Sequence, residues 1–140
     1  MGAYTKVTWD SLENAKVPPP PGYEHPWPTF VPYTSRVVSG PADCEFLAMS
    51  MSCAQPGQSG EHHKHEKAEE VFVIMQGSCQ MRINDEVVEL NQTDTIRVPA
   101  ESYRSIHNHT DAPVWWATFA APVDEFVEFS DVYLPGGGKA

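Results

Sequence analysis

With 140 residues, 41% of them hydrophobic and 20% charged, the chain can bury one core, and its composition excludes wholesale disorder. Nine basic against nineteen acidic residues leave a net charge of −10, which opposes phosphate backbones and anionic membranes as partners. No apolar run approaches the ~20 residues of a membrane helix, and residues 1–11 lack the pattern of a secretory leader. The expectation is a cytoplasmic protein that binds neither nucleic acid nor membrane.

Seven of the thirteen prolines lie between Pro18 and Pro32, interleaved with Tyr23, Trp27, Phe30 and Tyr33. Proline fixes φ and lacks an amide donor, so this stretch reads as neither a central strand nor a helix interior. Its rings argue against disorder. Residues 1–35 therefore read as an extended arm, packed over the domain or on a second subunit. Within it, Asp10-Ser11-Leu12-Glu13 offers the cap of one short helical turn.

From 36 to 122 the pattern changes to short alternating runs, at 36–39, 44–53, 70–76, 78–83, 86–90, 95–98, 103–108 and 114–120. Turn residues separate them, and Asn84-Asp85 spells a two-residue hairpin. Many short strands without a helical period predict an all-β sandwich or barrel. Met49 and Met51 read as core filler, and of the adjacent Trp115 and Trp116 one faces inward. The odd set Cys44, Cys53 and Cys79 reads as reduced thiols, with a Cys44–Cys53 disulfide left open. Residues 123–140 form an extension whose glycine-rich end, 134–140, is expected to fray.

The chemistry concentrates between Gly57 and Gly77. On a strand, residues two apart share a face, so His63 and His65 present their imidazoles side by side while His62 and Lys64 point away. A carboxylate at the start of the next strand, Glu69 or Glu70, can reach across to them. Two histidines and a carboxylate leave other coordination positions open, as a non-haem iron(II) centre requires. Manganese, nickel, cobalt or zinc would accept the same donors. By composition alone, the run is equally what a solvated charged loop looks like. Phe72 and Ile74 share the face of Glu70 and are expected inside, whereas Val71 and Val73 face out.

The spacing resembles the first motif of the cupin superfamily, G(x)5HxH(x)3–4E(x)6G, with Gly57, His63, His65, Glu70 and Gly77 at its fixed positions. The second motif, G(x)5PxG(x)2H(x)3N, falls on Thr93, Pro99, Glu101, Arg104 and Asn108. There Pro99 and Asn108 match, both glycines are replaced, and arginine stands where the family has its last metal-binding histidine. The resemblance covers residues 44–120. It implies an all-β double-stranded β-helix, a jelly-roll cupin barrel, with the proline-rich arm outside and a homodimer as the common assembly. It also implies one divalent transition metal ion, iron first, on His63, His65 and Glu70.

Arg104 is placed by the resemblance in the barrel, where its guanidinium cannot ligate a metal. It can present its fork to a substrate oxyanion. Alternatively it pairs with Glu70 and replaces the cation of a metal-free pocket. By strand parity His107 faces outward, and His109 falls in a turn. The expected function is a metal-dependent enzyme on a small, oxygen-rich, anionic molecule, with Phe72, Ile74 and Arg104 lining the substrate pocket. A dioxygenase leads, and a metal-dependent lyase, isomerase or cyclase follows. Outside that class stand a metal-free binding cupin and a metal-free isomerase using a histidine and a carboxylate.

Overall fold

A computed structural model describes residues 4, 6, 29–34, 42–44, 46–122 and 132–133. Among these residues eleven strands run: β1 (Thr29–Thr34), β2 (Ala42–Asp43), β3 (Ala48–Ala54), β4 (Lys64–His65), β5 (Glu69–Gln76), β6 (Cys79–Ile83), β7 (Glu86–Leu90), β8 (Thr95–Val98), β9 (Arg104–His107), β10 (Val114–Ala121) and β11 (Val132–Tyr133). No helix occurs among the described residues, so none there is long and apolar enough to cross a membrane. The expected all-β class is the observed one. The proposed helical turn at 10–13, the run 36–39 and the tail 134–140 lie outside the described residues.

One sheet has the order β2-β1-β3-β10-β5-β8, and a second has β7-β6-β9. Backbone bridges from Ser59 to His107 and from His63 to Arg104 carry the second layer onward to β4, which pairs with β11. The layers meet through one apolar cluster. Phe72, Ile74, Val98, Val114 and Trp116 come from the first, and Cys79, Met81, Leu90 and Ile106 from the second. Burying each large side chain contributes about 1.5–3 kcal/mol. Strand parity holds on β5, where Phe72 and Ile74 are buried and Val71 and Val73 only half-buried. Of the tryptophans, Trp116 enters the core and Trp115 stays half-buried.

Three expectations need correction. Pro32 lies within β1, a strand flanked by β2 and β3, although proline argued against an internal strand there. The ladder with β3 shifts register between Phe30 and Tyr33, so Pro32 falls where no ladder donor is needed. The run 44–53 is shorter than expected, since β3 starts at Ala48. On β3 the inward positions are Ser50 and Ser52, and Met49 and Met51 are half-buried on the other face. No disulfide joins Cys44 to Cys53, in keeping with the reading of the cysteines as reduced thiols.

The turns keep the motif backbone where the sequence departs from it. Asn84-Asp85 closes the β6–β7 hairpin, with Asn84 at φ 50° and Ile83 paired to Glu86. Gly77 has φ 83°, and a Cβ there would lie 2.6 Å from the Pro113 carbonyl oxygen. At the two glycine positions of the second motif, Thr93 and Glu101 adopt φ 73° and 72°. That region suits glycine and strains a β-branched side chain most. Hydrogen bonds hold both in place: Thr93 N–H donates to the Ile74 carbonyl at 2.8 Å, and Glu101 N–H to the His65 carbonyl at 2.7 Å.

Two substitutions should therefore act with opposite sign in chemical denaturation. Gly77→Ala is expected to destabilise by about 2–3 kcal/mol, from the left-handed backbone and the clash combined. Thr93→Gly is expected to stabilise by about 0.5–1 kcal/mol, because relief of strain outweighs the added freedom of the unfolded chain.

Candidate metal centre

The site forms where the ligand segment crosses β9 and faces β5. Reciprocal backbone hydrogen bonds fasten His63 to Arg104, N–H to carbonyl at 3.0 Å one way and 2.7 Å the other. The next two residues form β4, which pairs with β11 through His65↔Val132 and Lys64↔Tyr133. This pinning holds the i, i+2 geometry of the two imidazoles. Their ring centroids are 5.2 Å apart and nearly perpendicular. The donor atoms of His63, His65 and Glu70 all lie within 4.8 Å of one another. These are the three residues that the first motif singled out.

Local hydrogen bonding prepares the donors. His63 Nδ1 lies 2.9 Å from the Glu61 carbonyl oxygen, which can only accept, so Nδ1 carries the proton and Nε2 the lone pair. His65 is 2% exposed. Burial first, then His63 and Arg104, push its pKa well below the usual histidine value. At neutral pH it is a neutral imidazole, the form that binds a metal. The donor set thus suits a divalent transition ion.

Glu70 is 4% exposed. Burial raises its pKa, and the Arg104 guanidinium opposes that rise. Arg104 itself is only 1% exposed, with Nε 3.2 Å from Glu70 Oε1 and Nη2 donating to the Pro99 carbonyl at 3.2 Å. It enters the interior beside the three donors, and this is the contact that the metal-free alternative requires. Asn108, the other matching residue of the second motif, is fully buried. Its Nδ2 donates to the Ala54 and Ala112 carbonyls, and its Oδ1 accepts from Thr110. It ties the end of β9 to β3 and to the turn before β10.

The other candidates fall outside the cluster. Glu69 is exposed and pairs with Arg97 at 2.6 Å. His62 stacks on Tyr103 and meets the Ser105 hydroxyl at 3.1 Å. His107 contacts the Ser59 hydroxyl, and His109 lies 3.2 Å from Glu89 on the surface. Phe72 and Ile74 are interior, as expected, and belong to the apolar cluster. Strand parity missed one group, the buried hydroxyls of Ser50, Ser52 and Thr118. The ladder could have found it, since Thr118 stands opposite both Phe72 and Ser50.

Cys79 is a core residue rather than a thiol for the site. Burial first, and then Glu89, push its pKa up to about 12. Native protein treated with iodoacetamide at pH 8 should leave Cys79 unmodified, and unfolding in urea should expose it to full alkylation; mass spectrometry of the digested chain reads both.

Comparison with known proteins agrees with this architecture. The sequence matches the family described as "Cupin domain" over residues 50–119. Among solved structures, an uncharacterized protein with a double-stranded β-helix domain from Klebsiella pneumoniae aligns at 16% identity and TM-score 0.64, covering 86% of this chain and 93% of its own. A predicted oxalate decarboxylase from Thermotoga maritima aligns at 18% identity and TM-score 0.59, covering 69% and 80%. A sugar phosphate isomerase of the cupin superfamily from Silicibacter pomeroyi aligns at 15% identity and TM-score 0.56, covering 68% and 59%. No curated protein matches the sequence significantly. At these identities the solved structures speak for the fold alone. With the family match spanning half the chain and the double-stranded β-helix in place, this chain belongs to the cupin superfamily.

Proposed function

We propose that this cupin is a metal-dependent enzyme acting on a small, oxygen-rich anion, with dioxygenation as the leading reaction. The observation that carries the reading is the convergence of the His63, His65 and Glu70 donor atoms within 4.8 Å, beside a fully buried arginine. A divalent transition ion held there, iron first and manganese, nickel, cobalt or zinc next, would supply Lewis-acid polarisation and, as iron(II), reactivity toward O₂.

The chain's own charges favour an anionic partner. Two neutral imidazoles, one carboxylate and one guanidinium sum to zero, so a divalent ion leaves the buried site with two uncompensated positive charges. Buried charge of one sign is costly until neutralised. A small dianion would supply the balance. Arg104, anchored on Glu70 and the Pro99 carbonyl, is positioned to orient such a group and to stabilise negative charge that develops on it. Two structural relatives are named a predicted oxalate decarboxylase and a sugar phosphate isomerase; those names support an oxygen-rich anion as the substrate class and keep lyase and isomerase chemistry as alternatives.

A specific contact supports a second reading. With Arg104 Nε 3.2 Å from Glu70, the guanidinium can replace the cation, and the chain would then hold a small ligand without metal.

Elemental mass spectrometry on untagged, chelator-free protein separates the two. The metal-dependent reading expects about one transition ion per chain, lost in His63→Ala, because the ligand set supplies the binding energy. Iron, together with oxygen uptake on a hydroxy- or oxo-acid panel, would support dioxygenation. Protein that stays empty after incubation with Fe(II), Mn(II), Ni(II) and Zn(II) would overturn the metal-dependent reading in favour of the second.

A further inference from the structure

The strand that carries the second histidine is short. Only Lys64 and His65 form β4, and backbone hydrogen bonds tie the stretch to the chain entering β9. They run both ways between His63 and Arg104, and from the Glu101 N–H to the His65 carbonyl at 2.7 Å. With His63 and His65 turned toward Glu70, their neighbours His62 and Lys64 fall on the outer face.

Side chains fasten that outer face. Lys64 Nζ donates to Glu101 Oε2 at 2.6 Å and lies 5.6 Å from the centre of the Tyr103 ring. His62 stacks on the same ring, with centroids 5.5 Å apart and planes inclined by 27°. Its Nδ1 lies 3.1 Å from the Ser105 hydroxyl. The β6–β7 hairpin fixes Tyr103 in turn. The Tyr103 N–H donates to Asn84 Oδ1 at 3.0 Å, and its carbonyl accepts from the Asn84 N–H at 2.9 Å. The residues on either side of His63 are thus held to the segment 101–105.

Glu101 is the unusual member. It adopts φ 72°, a region costly for residues other than glycine, and glycine is what the cupin pattern has here. Such strain persists only where the surrounding structure over-determines it, and it collects at ligand sites. A glycine would take that φ freely and keep the N–H bond to His65, but it could not reach Lys64. The ion pair is itself exposed, Lys64 at 24% and Glu101 at 56%, and such a pair adds little to folding stability. Its effect is on position, since Glu101 holds the backbone of His65 and the side chain of the residue before it. The same turn orients Arg104, whose Nη2 donates to the Pro99 carbonyl at 3.2 Å.

We infer that Glu101 is a positioning residue for the metal ligands, which through Lys64 fixes the His63–His65 segment in the geometry that converges on Glu70. The inference rests on the metal-dependent reading and adds a pair of side chains outside the donor set that sets its affinity.

Zinc affinity, read by competition with a chromophoric chelator, tests it on the full chain. Glu101→Gly and Lys64→Met should each weaken zinc binding about threefold to tenfold. The double variant should bind no more weakly than the worse single one, because the two side chains act as a unit. Glu101→Gln, which keeps an acceptor for Lys64, should recover most of the loss. Metal-free Glu101→Gly should melt no lower than wild type, because glycine relieves the left-handed backbone. Hydrogen exchange of the metal-free proteins gives a second readout, with amides of residues 61–66 exchanging faster in both single variants. Unchanged zinc affinity in Glu101→Gly, or losses that add in the double variant, would overturn the inference. A loss of affinity that tracks a lower melting temperature across the variants would assign it to folding and overturn the inference as well. A wild type that binds neither zinc nor Fe(II), Mn(II) or Ni(II) would overturn the metal-dependent reading instead. In that case faster exchange in both variants keeps the clamp on the histidine segment, and unchanged exchange removes it.

Discussion

Everything around the site answers to one buried carboxylate. Glu70, 4% exposed inside an all-β core, would be costly to ionise without positive charge nearby. Arg104 answers at 3.2 Å, and the reciprocal backbone bonds between Arg104 and His63 make the residue that compensates Glu70 also the one that fixes the histidine segment. The charge pair and the ligand geometry are thus one piece of construction. A cupin with histidine at position 104 would have a different charge balance, with nothing to offset the carboxylate until a metal arrives.

Because the Arg104 guanidinium already stands 3.2 Å from Glu70, a divalent ion held there would make the site cationic and would favour an anionic ligand, as the proposed function requires. Apolar packing is concentrated against β6, β7 and β9, where it holds the two layers together. On β3 and β10, Ala48, Ser50, Thr118 and Ala120 are buried beside the core residues Ala54, Val114 and Trp116.

Much of this was legible in the sequence, for identifiable reasons. The convergence of the three candidate donors could be read because strand parity and fixed spacing are strict: His63 and His65 share a face, and only Glu70 lies at the motif's distance from Gly77. The hairpin at Asn84-Asp85 was legible because two-residue turns have narrow chemistry. The face of β3 was not. Both of its faces are at least partly covered, so alternation alone could not tell which residues pointed inward, and hydrophobicity favoured the methionines over the serines. Pairing to Trp116 and Thr118 decides it. Pro32 misled in a different way, since only the register shift shows that its missing donor costs nothing. Thr93 and Glu101 stand where the family pattern has glycine, yet they keep the left-handed backbone, held by hydrogen bonds that no motif encodes.

In the proposed centre two imidazoles and one carboxylate would hold the metal, with Arg104 outside the coordination sphere. X-ray absorption spectroscopy of zinc-loaded protein tests it most directly. The expected first shell is nitrogen and oxygen at about 2.0–2.2 Å with the multiple-scattering signature of two histidines, falling to one histidine in His65→Ala. A shell without imidazole scattering, or one that keeps two histidines after that substitution, would contradict it.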